Sequence, residues 1–512
     1  MTSSTRENFQ LALNFVPKSY LTQAIQASQH SAKQINLLLR QGKFPESGWS
    51  DVLIEEFLQQ ISTLDSNNFP HNVGVGEREA RIFSSLVKAR HWGLGHGIGR
   101  SGDLCASQPK AVGSSLLYNL TTSMVKDAIK AAGVPGAVDV VVLPCATGAA
   151  LMLCLSSLAE VRPGSDLVVW LRCDQRSCFK AIYSAGLKPV VVDGMLSGDE
   201  VVSDVACVEA LLSGSECKKI RAVVTTTSCF APRAPDDIEN IAVLCKQHDV
   251  PHVINNAYGL QSTKLMHRIK ESARIGRVDI VIQSTDKNFM VPVGGALAFT
   301  FDEATAKRIS GAYPGRASIS PIMDLFMTLL SMGKERFLEL RKERNDLKKL
   351  LDLELQALAE RHSIRTLAAP NNPISTGVAL PEGTAPKSAT ALGAMLFTRG
   401  VSGARVVTPG KSSSIGKTHF VGWGSHHKSY PVSYLTASAS IGMTRSDVIG
   451  FIACLDRCLT EWRRKEPVPN SLTVQQNGNA DANENSDQVH SLINNKHCIQ
   501  DKENSNGLTS EE

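Results

Sequence analysis

From residue 116 to residue 300 the sequence repeatedly switches between helical spacing of apolar residues and short unbroken apolar runs, and few architectures accept such a chain. Runs of strand length fall at 138–143, 167–171, 189–193, 222–226, 252–255, 278–282 and 296–299. Helices are predicted over 116–132, closed by Gly133, and over 147–158, 177–185, 205–212 and 236–247. A strand that is apolar throughout has both faces buried. The alternation therefore predicts an α/β chain with a doubly wound, mostly parallel sheet covered on both sides. In such a sheet ligands sit at the carboxyl ends of the strands.

Several strand ends carry chemistry. Residues 138–143 run into Pro144-Cys145-Ala146-Thr147-Gly148 and then a helix, whose first backbone amides favour a phosphate. Residues 167–171 run into Asp174, Gln175 and Arg176, and 252–255 end at Asn255, followed by Asn256, Ala257, Tyr258 and Gly259. Between the last two strands a polar turn carries Ser284, Asp286, Lys287 and Asn288. A lysine there is either an ordinary turn residue facing water or a desolvated amine with a lowered pKa, suited to Schiff-base formation.

The flanks are more ambiguous. Residues 5–65 read as helices, with Ile54, Phe57, Leu58 and Ile61 at helical spacing and Lys33, Arg40 and Lys43 as a solvated or nucleic-acid-facing set. Residues 76–90 read as a helix with a buried stripe of Ile82, Phe83, Leu86 and Val87. In its first turn Arg78 opposes the helix dipole and needs an anion, supplied by Glu77, Glu79 or a ligand. Residues 93–110, GLGHGIGRSGDLCASQPK, carry Arg100, Ser101, Gln108 and Lys110. They form either a flexible surface loop or an anion-binding loop, and match neither a Walker motif nor a dinucleotide fingerprint. Beyond Arg316 a long charged helix has Leu340, Leu347, Leu351 and Leu358 on one seam, for intrachain packing or an oligomer contact. An amphipathic helix over 448–464, with Ile452, Leu455 and Leu459 on its stripe, closes a smaller α+β region. The expected organisation is a helical extension (1–75), a large domain (76–320), a small C-terminal domain (321–465) and a disordered acidic polar tail (466–512).

With 42% hydrophobic residues, no apolar run of membrane-spanning length and an N-terminus unlike a signal peptide, the chain reads as a cytosolic enzyme without membrane contact. Its 12 cysteines include no CxxC and no Cys/His cluster at zinc spacing, so reduced core thiols are expected and no metal. From Glu466 onward eight acids face only Lys496 and Lys502. That segment is −6, so residues 1–465 hold +11 of a chain whose net charge is +5. A basic body fits a polyanionic partner, or a merely soluble basic protein.

The runs VGVGERE, HGIGRSGD, SCFAPR, NNAYG, QSTDKNFMVPVGGA, YPGRAS and MLFTRGVSGARVV, in this order, resemble the eukaryotic O-phosphoseryl-tRNA(Sec) selenium transferase family, a branch of the fold-type-I pyridoxal phosphate enzymes. The similarity spans roughly residues 20 to 465. It implies conversion of O-phosphoseryl-tRNA(Sec) to selenocysteinyl-tRNA(Sec) with selenophosphate, by elimination of phosphate and addition of selenium at Cβ, in a homotetramer. It also implies that Lys287 carries pyridoxal 5′-phosphate, that Ala146 and Thr147 hold the cofactor phosphate and that Gln175 lies by the ring. Asn255 takes the place of the aspartate usual against the pyridine nitrogen, which weakens the electron sink. By the same resemblance Arg78 reaches cofactor and substrate, and Arg100, Ser101, Gln108 and Arg316 take the phosphoseryl phosphate, with Arg78, Arg100 and Arg316 converging on it. Arg274, Arg399 and Arg464 touch tRNA, and Gln41 stands where a lysine is expected. Glu77, near the substrate's carbonyl end, either repels the carboxylate of free phosphoserine or merely caps a helix or pairs with Arg78. The rivals are a pyridoxal lyase acting on a free phosphorylated amino acid or amine, and a tRNA-binding protein with a vestigial site.

Overall fold

The computed structural model describes residues 8, 9 and 11–465, so the acidic tail lies outside the described residues. Strands β1 (Asp139–Leu143), β2 (Leu167–Leu171) and β3 (Lys188–Val192) are followed by a small hairpin, β4 (Met195–Ser197) and β5 (Glu200–Val202). Then come β6 (Ile220–Thr226), β7 (His252–Asn255), β8 (Ile280–Ser284) and β9 (Ala296–Thr300). Seven of these make one sheet in the order β1-β9-β8-β7-β6-β2-β3. Only β9 runs against the others in that sheet, pairing antiparallel with β8 and β1. All strand pairs from β8 to β3 are parallel. The sequence reading is met: β6, β7 and β8 are buried at every residue, as strands with helices on both faces must be.

The N-terminal helices share the sheet's core, because Ile54, Phe57, Leu58 and Ile61 on Asp51–Ser62 pack into the same apolar cluster as Val141, Leu143 and Ile282. Helix Ser320–Arg361 connects two cores and breaks at Gly333, whose φ of 68° and close approach to the Gly48 backbone only glycine accepts. Before the break Phe326 and Leu330 face the sheet's cluster. After it Leu351, Leu355 and Leu358 pack against strands Ser375–Ala379 and Tyr434–Ser438 and helix Arg445–Lys465. The leucine seam is thus an intrachain packing face.

Residues 76–90 correct the sequence reading. The helix is only Ser85–Arg90, and Phe83 and Leu86 are exposed instead of buried. Ala80 sits at a φ of 53°, and Arg81 donates to the carbonyls of Gly76 (3.1 Å) and Gly74 (2.5 Å), so the segment is held as a loop. Arg78 therefore meets no helix dipole.

Candidate active site

The carboxyl ends of β1, β2, β7 and β8 meet at one edge of the sheet and wall a cavity of about 530 Å³ lined by Thr147, Gln175, Tyr258 and Lys287. Lys287 is not on a polar turn but on a short helix, Thr285–Phe289, that follows β8 directly. Asn288 fastens this helix by donating to the carbonyls of Ala257 (2.9 Å) and Ser284 (2.7 Å). The lysine amine donates to Ser284 Oγ (3.1 Å) and pairs with Asp286 (3.2 Å), and its side chain is 47% exposed. Of the two readings open for it, a residue facing water or a desolvated amine, this exposure is nearer the first, and the short helix presents the amine to the cavity.

Thr147 opens helix Thr147–Ser157, and Ala146, its N-cap, supplies no side-chain bond to the first amides. Those N–H groups are orphans pointing along the positive end of the helix. Thr147 also bonds Ser284 through their hydroxyls, joining the helix start to the strand that carries the lysine. Asn255 is buried, donates to the Cys178 thiol (3.0 Å) and accepts from the Ala257 amide (3.3 Å). Cys178 lies beside Gln175, and burial pushes its thiol up from the ordinary value.

The wall supplied by the C-terminal residues was invisible to sequence reasoning. Arg405 lines the cavity with its guanidinium 3.9 Å from the Phe230 ring centre, and Ser440 and Ile441 complete that side. Gln261 bridges the two halves, donating to the Lys287 carbonyl (3.3 Å) and accepting from the Ile441 amide (2.8 Å). The one available signal was the cation in GARVV, inside a run already quoted.

A second cavity, of about 480 Å³, holds Arg78 and Arg316 with His96. Arg316 donates to the Gly97 carbonyl (3.0 Å), and burial first, then Arg78, pulls its pKa below the ordinary arginine value. Glu79 pairs with Lys110 (2.9 Å), and neither Glu77 nor Glu79 pairs with Arg78 among the described residues. The expected convergence of three arginines is only partial within one chain. Arg100 and Ser101 are exposed on the glycine-rich loop, Gln108 is half-buried with its backbone N–H donating to Ser115 Oγ (3.0 Å), and none of the three lines either cavity. Of the basic residues assigned to tRNA, Arg274 pairs with Glu271 (2.8 Å) and Arg399 with Glu461 (2.6 Å), whereas Arg464 is exposed in the last turn of its helix. Gln41 ends helix Lys18–Gln41 and is exposed.

Residues 64–460 match the family described as O-phosphoseryl-tRNA(Sec) selenium transferase, SepSecS. The chain belongs to this family. A selenium transferase of that name from Dictyostelium discoideum is 42% identical over 471 residues, covering 88% of this chain and 98% of the relative. One from Methanopyrus kandleri is 38% identical, covering 83% and 94%. The crystal structure of an archaeal SepSecS superposes with a TM-score of 0.80 at 32% identity, covering 86% of this chain and 98% of that one. A sphingosine-1-phosphate lyase from Burkholderia pseudomallei shares the fold alone, with a TM-score of 0.53 at 13% identity.

The cofactor implied by the SepSecS family, pyridoxal 5′-phosphate, fits the residues present. The Lys287 amine reaches the cavity, uncapped helix amides stand at Thr147, and the buried Tyr258 hydroxyl on the cavity wall has no partner among the described residues. No described helix is long and apolar enough to cross a membrane.

Proposed function

We propose that this chain converts O-phosphoseryl-tRNA(Sec) to selenocysteinyl-tRNA(Sec) with selenophosphate as the selenium donor. The observation that carries the reading is a lysine on the wall of a cavity at the strand carboxyl ends, in a chain that matches SepSecS from residue 64 to 460. When bound, pyridoxal phosphate supplies the electron sink that makes the substrate Cα proton removable. Lys287 would hold it covalently, with Ala146 and Thr147 at its phosphate, Gln175 beside the ring and Asn255 toward the ring nitrogen. Asn255 is a neutral amide that cannot stabilise a protonated ring as a carboxylate does, so proton removal leans more on the lysine amine. Asp286 and Ser284 hold that amine within hydrogen-bond reach of the cavity.

Phosphate departs readily only where cations already wait for its charge. Arg78 and Arg316 form such a place, with Arg100, Ser101 and Gln108 as further contributors. One phosphoseryl group must meet both the lysine and these arginines. Exposed Val73, Val75, Phe83 and Leu86 lie on and beside the loop that carries Arg78, and fit an interface with another copy in a homotetramer. Glu77 acts as the filter against free phosphoserine, a role favoured by its exposure and by the absence of a helix for it to cap. Arg274, Arg399 and Arg464 take tRNA phosphates, and the enzyme works in the cytoplasm.

One observation favours the rival lyase. Arg405 is a cation on the wall of the lysine cavity, where a free carboxylate would bind. The test gives the loaded protein phosphoseryl-tRNA(Sec) with selenophosphate, and in parallel free phosphoserine. Selenocysteinyl-tRNA from the first and no phosphate release from the second support the transferase. Phosphate from free phosphoserine at a comparable rate replaces it with the lyase.

A further inference from the structure

The cavity of Arg78 and Arg316 contains a group that the roles above leave unused. His96 lies on its wall with only 7% of its surface exposed. Its place is fixed by the glycine-rich loop: Ile98 and Ala317 exchange backbone hydrogen bonds (3.0 and 3.1 Å), laying the loop against the segment that bears Arg316. Gly97 sits between them at a φ of 70°, where any Cβ would strike the Ala317 carbonyl. His96 Nε2 contacts Ser66 Oγ at 3.3 Å, and Nδ1 is buried with no hydrogen-bond partner among the described residues. The Arg316 Nε beside it is likewise unpartnered. A buried ring nitrogen and a buried arginine N–H without partners, on one cavity wall, suit an anion with several oxygens.

Tautomer and charge follow from the neighbours. With the Ser66 hydroxyl as the donor to Nε2, the ring hydrogen sits on Nδ1, the unpartnered side. Burial lowers the imidazole pKa; Lys110 and Arg316 push the same way, while Asp65 and Glu79 oppose them. Arg78 also lines the cavity, and His91 lies there with both ring nitrogens engaged, by Val87 O (2.8 Å) and Ser320 Oγ (2.7 Å). His96 is thus neutral near pH 7.5 before an anion binds and still able to donate.

We propose that His96 is a third donor of the phosphate site, neutral before the phosphate arrives, giving Nδ1–H to an oxygen of the substrate phosphate beside Arg78 and Arg316. This rests on the reading of that cavity as the phosphate site. An arriving dianion reverses the local field and favours the imidazolium. One proton then moves from solvent to Nε2, and the Ser66 hydroxyl turns from donor to acceptor.

The test titrates sulfate, which has no proton equilibrium near neutral pH, into the cofactor-loaded enzyme at pH 7.5 in two buffers of different ionisation enthalpy. Wild type should take up a proton on binding. His96→Ala should bind sulfate about tenfold more weakly and take up none. His96→Asn, whose amide nitrogen falls near the Nδ1 position, should keep most of the affinity and still take up none. Sulfate affinity unchanged in Arg316→Ala would remove the anion site itself. Affinity lost in Arg316→Ala but unchanged in His96→Ala, or proton uptake persisting in His96→Asn, would overturn the role of His96 alone.

Discussion

Arg316→Ala separates phosphate handling from cofactor binding. Among the described residues the Arg316 guanidinium makes one hydrogen bond, to the Gly97 carbonyl at 3.0 Å, leaves Nε unpaired and shares its cavity with Arg78 without a carboxylate lining it. Its depressed pKa reflects that burial and that repulsion. Removing it deletes one weak backbone contact and relieves a like-charge pair, so the melting temperature should stay level or rise. A charge-assisted bond to a desolvated phosphate is worth about 1.5–3 kcal/mol, so kcat/KM for phosphoseryl-tRNA should fall about ten- to a hundredfold. Affinity for pyridoxal phosphate should not change, because Arg316 does not line the lysine cavity. The assay is single-turnover conversion of phosphoseryl-tRNA alongside a cofactor titration and a thermal melt. Unchanged turnover, or an equal loss in cofactor binding, would refute the assignment.

Glu77→Gln should let free phosphoserine inhibit more strongly with phosphoseryl-tRNA turnover kept; two like charges about 4 Å apart repel by roughly 4 kcal/mol at an effective dielectric near 20, and the exposure of Glu77 reduces this to a several-fold effect. Equal inhibition of mutant and wild type removes the filter. Arg399→Ala and Arg274→Ala should weaken tRNA binding and flatten its salt slope, whereas Glu461→Gln, by freeing Arg399 from its 2.6 Å ion pair, should strengthen binding. Log–log slopes that do not change leave these as surface charges. Acid should destabilise the fold through His252 and His426, which burial holds neutral with pKa values of about 4. The unfolded chain takes up protons first, near pH 6.5, so stability falls as pH drops from about 6.5 to about 4, by roughly 3 kcal/mol for each histidine. Denaturant melts across that window check it, and a flat profile contradicts it.

The sheet was legible because strands buried on both faces have to be continuously apolar, and β2 and β7 fall at the residues read from sequence. The lysine and the Thr147 turn were legible for a related reason, since polar residues directly after such strands have few structural uses. Periodicity misled at 76–90, where Ile82, Phe83 and Leu86 have helical spacing but the chain is a loop with Phe83 in solvent; spacing does not reveal which way an apolar face turns. The turn read around Lys287 is a short helix, because a turn and a single turn of helix have the same composition. Arg405, Ser440 and Ile441 reach the cavity only through tertiary packing across more than a hundred residues of sequence, and no local pattern records that.

The most direct test of the account is the visible absorbance of the cofactor-loaded enzyme before and after borohydride, followed by peptide mapping and compared with Lys287→Ala. Wild type should show the band of a lysine-bound cofactor, lose it on reduction and carry the label on the peptide containing Lys287. The mutant should show neither band nor label and form no selenocysteinyl-tRNA. A label on another lysine, or turnover by Lys287→Ala, would contradict the central claim.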